Sequence, residues 1–562
     1  MTATTHSSGK AEQAVFKVSA AAFAVPVGLF AVALLVRLAA VALVPFPMTE
    51  GSAYYTAVAE NLASGRGLVI DAIWSYATPP LTLPRPAFEL WQPLASFIAA
   101  LAMTLFGANF DAAQLAFAVM GALIAPLTWF VARDAARRLS IGEQRVRSLT
   151  FGAGAVAIIS GPLLLATVAP DSTLPFTLLC VLACLLMPAA LGGERSALIG
   201  LGVIAGLAYL TRMEGLYLGV TFVALGLIAR LGWRQVFGRG AIVAAIAAVV
   251  VLPWWLRNLV TFGSAVPGQI ADNLFLTRNE QIFAYTDQPT LQGFLDQGAA
   301  TLLVNIAHAF RHDLVNVLWI PSVAVVTVAL ISIMLGRRRA GALNNSPLVA
   351  LLILGSFTLL VTSVLFPVAT LWGTFEHAAG PLLVALIVVA AVGADAFVAR
   401  VRAWRNWPRS NAWLAPATLV ALTVPLTLLQ ITAGAANARA EQGRFAELAA
   451  SVPQILSAAG VQPETPVISD RPVWLSEALG RPAIALPDEP TDAVLRLARD
   501  FGAQAVVVVE QRGRHPGALA RASACFAEVP SVLRPGEAAA QAGGASSQVG
   551  RARIFVIEEA CR

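Results

Sequence analysis

Six ionisable residues stand at the ends of long apolar runs: Glu50, Asp171, Arg212, Glu214, Arg257 and His377. Carboxylates accept protons, and an arginine carries a permanent charge that an anion can rest on. At a membrane boundary such groups cost free energy unless they are used or paired. Glu50 opens EGSAYYTAVAENLASGRG, whose apolar spacing predicts a helix stopped by Gly65 and Gly67. On position alone, Glu50 reads equally as a working carboxylate or as a solvated one that supports this helix through its dipole. Asp171, in VAPDSTLPF, reads as a second working carboxylate or as a helix N-cap.

The elements that must position these residues are membrane spans. Of 562 residues, 57% are hydrophobic and 12% charged, and the mean hydropathy is +0.73. A soluble domain carries about a quarter charged residues, so the apolar excess calls for a bilayer. The net charge of +6 is not a nucleic-acid footprint, because the arginines sit in short clusters between apolar runs, as in cytoplasmic loops. Eleven spans are expected, at about 18–46, 111–132, 150–169, 172–190, 196–211, 214–230, 241–256, 314–336, 347–367, 379–399 and 412–433. The first is too long for a signal-peptide core and lacks a small-residue cleavage site, so it is expected to stay, with its N-terminus in the cytoplasm.

A twelfth apolar run, 88–106, is decided by charge. RDAARRLSIGEQRVR (133–147) holds five arginines and belongs in the cytoplasm, which requires 88–106 to lie along or dip into the outer surface. Arg230, Arg234 and Arg239, then Arg337, Arg338 and Arg339, then Arg400, Arg402, Arg405 and Arg409 fall inside as well. Gln92 and Pro93 also weaken 88–106 as a span.

This arrangement divides the chain into a membrane domain, 1–433, with long outer loops 47–110 and 257–313, and an extracytoplasmic domain, 434–562. Loops of that length usually carry function. The C-terminal domain reads as small α/β, with strands in TPVISD (465–470), PAIALP (482–487), AQAVVVVE (503–510) and ARIFVIEE (552–559). A helix, TDAVLRLARDFG (491–502), lies between the second and third, and EAAAQAGGASSQVG (537–550) reads as a loop. Of four cysteines, Cys180 and Cys184 share a span as packing residues. Cys525 and Cys561 lie in a disulfide-permissive compartment and are expected to pair if CFAEV lies beside the last strand.

These stretches resemble, in order, the motifs of the GT-C glycosyltransferases, which include the protein O-mannosyltransferases and the bacterial aminoarabinose transferases acting on lipid A. The likeness rests on the carboxylate and tyrosines after the first span, on LPRPAFELWQPLASFIAALAMTLFG (83–107), on VAPDSTLPF (168–176), on LTRMEGL (210–216) and on PWWLRNLVTFGSAVPG (253–268). It covers most of the chain to about residue 380. The family usually has aspartate followed by glutamate in the first loop, where this chain has Glu50 followed by Gly51.

The resemblance implies a polytopic α-helical enzyme of the inner membrane. Such an enzyme moves a sugar from a polyprenyl-phosphate donor to a hydroxyl of a glycan, lipid or protein at the outer face. It implies Glu50 as the base that takes the acceptor proton and Asp171 as the second carboxylate. Arg212 and Arg257, with His377 and Arg85, are candidates for the donor phosphate. Snorkelling explains the two arginines as well, and a structural role explains His377. Glu214 is placed to pair with Arg212. Tyr54, Tyr55, Trp74 and Trp91 are candidates to stack on sugar or line a lipid groove, a role shared with ordinary interfacial aromatics. No P-loop, H-E-x-x-H or cysteine cluster occurs, so no cofactor is expected, and the sequence leaves a divalent metal open. The competing class is a transporter or flippase of lipid-linked sugars. It would be expected to show repeated halves and paired broken helices at midplane, and the sequence has neither.

Overall fold

A computed structural model describes residues 20–266, 272–336, 341–407, 411–510, 515–529 and 552–562. The beginning of the first expected span, Arg337, Arg338, Arg339, Arg409, the end of the 253–268 motif and the 537–550 loop lie outside the described residues.

Among the described residues, eight helices are long and apolar enough to cross a bilayer: Ala24–Val41, Phe110–Arg138, Thr173–Gly192, Trp233–Phe262, Gly298–Met334, Pro347–Leu365, Gly380–Arg405 and Leu414–Ala458. A ninth span is the pair Glu143–Ile159 and Gly161–Val168, bent by 45°. Ser160 leaves helical geometry ahead of Pro162, whose ring has no N–H to continue the ladder. The Thr427 hydroxyl donates to the Ile159 carbonyl at this break, so the freed acceptor is not left bare in the bundle. Two shorter apolar helices, Arg195–Thr211 and Met213–Ile228, stand where spans 196–211 and 214–230 were expected.

Helix Leu94–Phe106 is a third and shorter apolar helix. Its 13 residues reach only about 20 Å at 1.5 Å per residue, short of the ~30 Å of hydrocarbon. The segment 257–313 proves less loop-like than expected, since Trp233–Phe262 covers its start and Gly298–Met334 its end.

Spans pack closely where small residues allow it. Gly202 and Gly206, one helical turn apart on Arg195–Thr211, face Trp233–Phe262. A Cβ on either would press into Ile246 or Val250 and into the carbonyls of Val243 or Ala247. Two backbones can approach this closely only across glycine. At one end of the bundle Arg145 forms an ion pair of 2.5 Å with Asp395. Helix Gly380–Arg405 begins beside His377 and reaches Asp395 about 22 Å further along. The arginine-rich 133–147 segment therefore lies at the end of the bundle opposite His377.

At the His377 end the remaining segments form one layer. The expected strands appear as β4 (Val467–Ser469), β5 (Ala483–Ala485), β6 (Ala505–Val508) and β8 (Arg553–Ile557), with β7 (Phe526–Val529) antiparallel to β8. The first loop supplies β1 (Val69–Ile70) and β3 (Arg85–Pro86), which pair with each other, and β2 (Ala72–Ile73). β2 joins the C-terminal sheet, whose order is β2-β5-β4-β6-β8-β7, with β2, β5, β4 and β6 parallel. The second loop is fastened to the same domain by Glu489, which accepts the backbone N–H groups of Tyr285, Thr286 and Asp287 at 2.8–3.0 Å.

The division expected at 433/434 falls inside the unbroken 45-residue helix Leu414–Ala458. Composition changes there, but the helix does not. Cys525 and Cys561 are disulfide-bonded with a Cα separation of 5.6 Å, brought together because β7 lies beside β8.

Candidate active site

A cavity of about 1360 Å³ opens where the bundle meets this outer layer. Glu50 lies on its wall at the first turn of helix Glu50–Ala63. Thr49 caps that helix by accepting the Ser52 N–H at 3.1 Å, so Glu50 is released from capping its own helix. Its Oε1 instead accepts the Val473 N–H at 2.9 Å, at the start of helix Pro472–Leu479. Its Oε2 lies 3.5 Å from Arg471 Nη1. Burial pushes the Glu50 carboxyl up to about 7, against the opposing pull of Arg471 and the Val473 N–H.

Asp171 lines the cavity from the turn between Gly161–Val168 and Thr173–Gly192. It accepts the Thr173 N–H at 2.7 Å and lies 3.3 Å from His377 Nδ1. The Thr173 hydroxyl is 2.7 Å from the same ring nitrogen. Burial alone would raise the Asp171 carboxyl. The His377 charge and the hydrogen bonds from His377 and Thr173 outweigh it and hold the carboxyl below the ordinary range. His377 is shifted the opposite way: burial would lower it, but Asp171 raises it above its usual value.

Arg212 enters between these two groups. It donates to Ser172 Oγ at 3.0 Å, to Glu214 Oε1 at 2.6 Å and to the Thr374 carbonyl at 3.2 Å. Three anchors from three elements fix the guanidinium, and the expected pairing with Glu214 is among them. Tyr55 and Trp91 stack with ring centroids 5.7 Å apart, and Trp74 lies 4.8 Å from Trp91. All three line the cavity.

Three residues expected at the site stand behind its wall. Tyr54 accepts the Phe88 N–H at 2.8 Å and donates to Glu89 at 3.3 Å. Arg85 is fully buried and donates to the carbonyls of Ser75 and Thr78. Arg257 donates to the Ala87 carbonyl at 2.8 Å and lies over the rings of Trp254 and Phe262. These side chains meet backbone groups that need partners, so they are spent on shaping the 85–92 segment. That segment delivers Leu90, Trp91 and Gln92 to the cavity. Of the other outer cations, Arg66 pairs with Asp71, Arg278 with Asp287 and His312 with Asp313.

The C-terminal region contributes a wall that the sequence reading did not include. Asn437, Glu441 and Arg444 come from the long helix, and Arg471, Trp474, Val509 and Glu510 from the sheet domain. Two signals could have found them. Positions 437, 441 and 444 follow the i, i+4, i+7 spacing of one helix face. Arg471 and Glu510 directly follow parallel strands β4 and β6, between which the strand order reverses, and such switch points of α/β sheets are where ligands bind.

Among the carboxylates that line the cavity, Glu50 and Asp171 sit in environments that drive them apart, one towards a proton and one away from it. Beside them stands a fixed cation. Groups separated in this way can divide acid–base and electrostatic work.

Part of the chain matches a family model, and the fold as a whole is similar to solved structures. Residues 85–256 match the family model described as dolichyl-phosphate-mannose-protein mannosyltransferase. No curated protein sequence matches the chain. Among solved structures, the fold is similar to ArnT from Cupriavidus metallidurans in the apo state. That pair shares 16% identity and a TM-score of 0.53, over 96% of this chain and 99% of that one. ArnT bound to undecaprenyl phosphate matches at 15% identity and a TM-score of 0.52, over 97% and 99%. The Archaeoglobus fulgidus oligosaccharyltransferase matches at 13% identity and a TM-score of 0.51, over 87% of this chain and 69% of that one.

Proposed function

We propose that this chain is a glycosyltransferase of the cytoplasmic membrane, taking a sugar from a polyprenyl-phosphate donor to an acceptor hydroxyl at the outer face. The observation that carries this reading is the cavity shared by Glu50, Asp171 and Arg212. The family match and the fold add to it, and the structure similar to this one in complex with undecaprenyl phosphate supports the donor class.

Glu50 takes the proton of the acceptor hydroxyl as its oxygen bonds to the anomeric carbon. The bond from that carbon to the phosphate oxygen breaks, and the polyprenyl phosphate leaves with the electron pair. Near pH 7 a carboxylate with an elevated pKa is both deprotonated often enough and basic enough for this work. Asp171 stays ionised, held by His377, and stabilises the positive charge that develops at the sugar. Arg212, with His377, stabilises the departing phosphate. Tyr55, Trp74 and Trp91 supply the aromatic face against which the sugar ring packs. A lipid-linked donor calls for no nucleotide site. A transporter would hold its substrate near midplane; these charges gather at one end of the bundle, under a domain, which favours transfer.

The test is transfer of radiolabelled sugar from polyprenyl-phosphate donors in membranes carrying the wild type or Glu50→Gln. Transfer in the first and its loss in the second are expected. Equal turnover in both would remove Glu50 as the base.

A further inference from the structure

The carboxylate assigned as the base is held from outside the membrane domain. Glu50 Oε1 accepts from the Val473 backbone, in the first turn of helix Pro472–Leu479, and Oε2 faces Arg471, which caps that helix after β4. Arg471 is itself fixed from several directions. Its other guanidinium nitrogen pairs with Glu510, which follows β6, and the guanidinium lies 5.6 Å from the centre of the Trp474 ring. Asp470 ties the two strand ends together by accepting the N–H groups of Val509 at 2.7 Å and Glu510 at 2.9 Å. Trp474 packs on Phe46 and Phe445, which seats this turn against the first span's exit and the long helix. The switch point of the sheet is thus aimed at Glu50.

We propose that Arg471 is a positioning residue for sugar transfer: it orients the Glu50 carboxylate and favours its charged form, which makes the C-terminal domain part of the active site. This rests on the reading of Glu50 as the base. One cation here serves three carboxylates, Glu50, Asp470 and Glu510, so removing it leaves three negative groups around one buried position. Two other elements carry charge towards the same space: the long helix with Glu441 and Arg444, and the bundle with Asp171 and Arg212. Among the described side chains, Arg471 is the cation that meets Glu50 directly. A purely structural link between domains would not couple its charge to proton uptake at Glu50.

The sign follows from the charge. An adjacent cation favours the deprotonated carboxylate, so losing it moves protonation of Glu50 to higher pH, by about 1–3 units for a close pair. The experiment uses the full-length protein in membranes, as wild type, Arg471→Gln and Arg471→Lys, with two readouts against pH. One is carbodiimide modification of Glu50, which reports the protonated carboxyl and is measured by peptide mass spectrometry. The other is the acid limb of sugar transfer. In Arg471→Gln both should move upward by about one unit or more, and both should return towards wild type in Arg471→Lys. Detergent-solubilised samples with wild-type melting behaviour show that the fold is kept. Labelling that shifts while even the wild type transfers no sugar would overturn the glycosyltransferase reading and leave the Arg471–Glu50 coupling standing. An unmoved labelling curve in Arg471→Gln, with transfer intact, would overturn the role of Arg471 and leave the enzyme reading untouched.

Discussion

The Val473 N–H and the Glu50 carboxylate, 423 residues apart in sequence, are joined by a hydrogen bond of 2.9 Å. The first turn of one helix thereby supplies the anion for the N-terminus of another. A helix start with unpaired N–H groups favours negative charge, yet burial still draws a proton towards this carboxyl. Both tendencies meet on the atom assigned to take the acceptor's proton.

Glu50→Gln keeps an oxygen that can accept from Val473, so the fold should survive. Turnover should fall by about 10²–10⁴-fold, the usual contribution of a general base. Transfer assays at matched expression check this, and a near-normal rate would assign the base elsewhere.

Asp171 and His377 should show a linked dependence of stability on pH. The depressed Asp171 contributes stability above its ordinary value of 3.8, lost as pH falls through its lower folded value. The raised His377 contributes stability fully below its ordinary 6.5, lost as pH rises through its higher folded value. The melting difference between wild type and Asp171→Asn should therefore be largest between those two ordinary values and shrink above neutrality. A difference that is flat from pH 4 to 9 would mean that the pair is not ionised in the folded protein.

Arg212 and Arg257 should separate by experiment. Arg212→Gln should cost turnover on the scale of a lost charge-stabilising donor, about 10²–10³-fold, and should lower the melting temperature as well, since Glu214 and the Thr374 carbonyl lose their partner. Arg257→Ala should cost about 1.5–3 kcal/mol of stability through the freed Ala87 carbonyl, measured as a lower melting temperature. A stable Arg257→Ala variant that cannot bind donor would restore Arg257 to the phosphate.

An impermeant thiol reagent applied to intact cells should label a cysteine at exposed Ser457 and spare one at Ser140. Position 140 belongs to the arginine-rich segment at the end opposite the cavity. Labelling at 140 would invert the orientation.

The Cys525–Cys561 bond encloses 36 residues of sequence separation and should stabilise the C-terminal domain by about 4 kcal/mol on loop entropy. Alkylation should reach both thiols only after reduction, and reduction should lower the melting temperature of this domain. Thiols open to alkylation without reductant would contradict the pairing.

The spans were legible because each is a long apolar run, and the cavity residues Glu50, Asp171 and Arg212 because charge at the end of such a run stands out. Arg85 and Arg257 look the same in sequence, but a sequence does not show whether a guanidinium faces an open cavity or a backbone carbonyl. The strand before Arg471 was legible, but the meeting of Arg471 with Glu50 was not, for a different reason. Its place depends on β2, a two-residue strand that carries almost no pattern yet fastens the first loop to the edge of a sheet some 400 positions away. The division placed at 433/434 follows a change of composition, which can fall within a continuous helix because side chains change there and the helical period does not.

That unbroken helix acts as a lever arm. Leu414–Ala458 is one continuous helix, so its second half, about 37 Å long, moves with a tilt of its first half. A change of a few degrees, such as a thicker or thinner bilayer imposes on a span, moves the outer tip by a few ångströms. The cavity wall of Asn437, Glu441 and Arg444 rides on this arm. A tilt of this helix would carry that wall of the cavity with it.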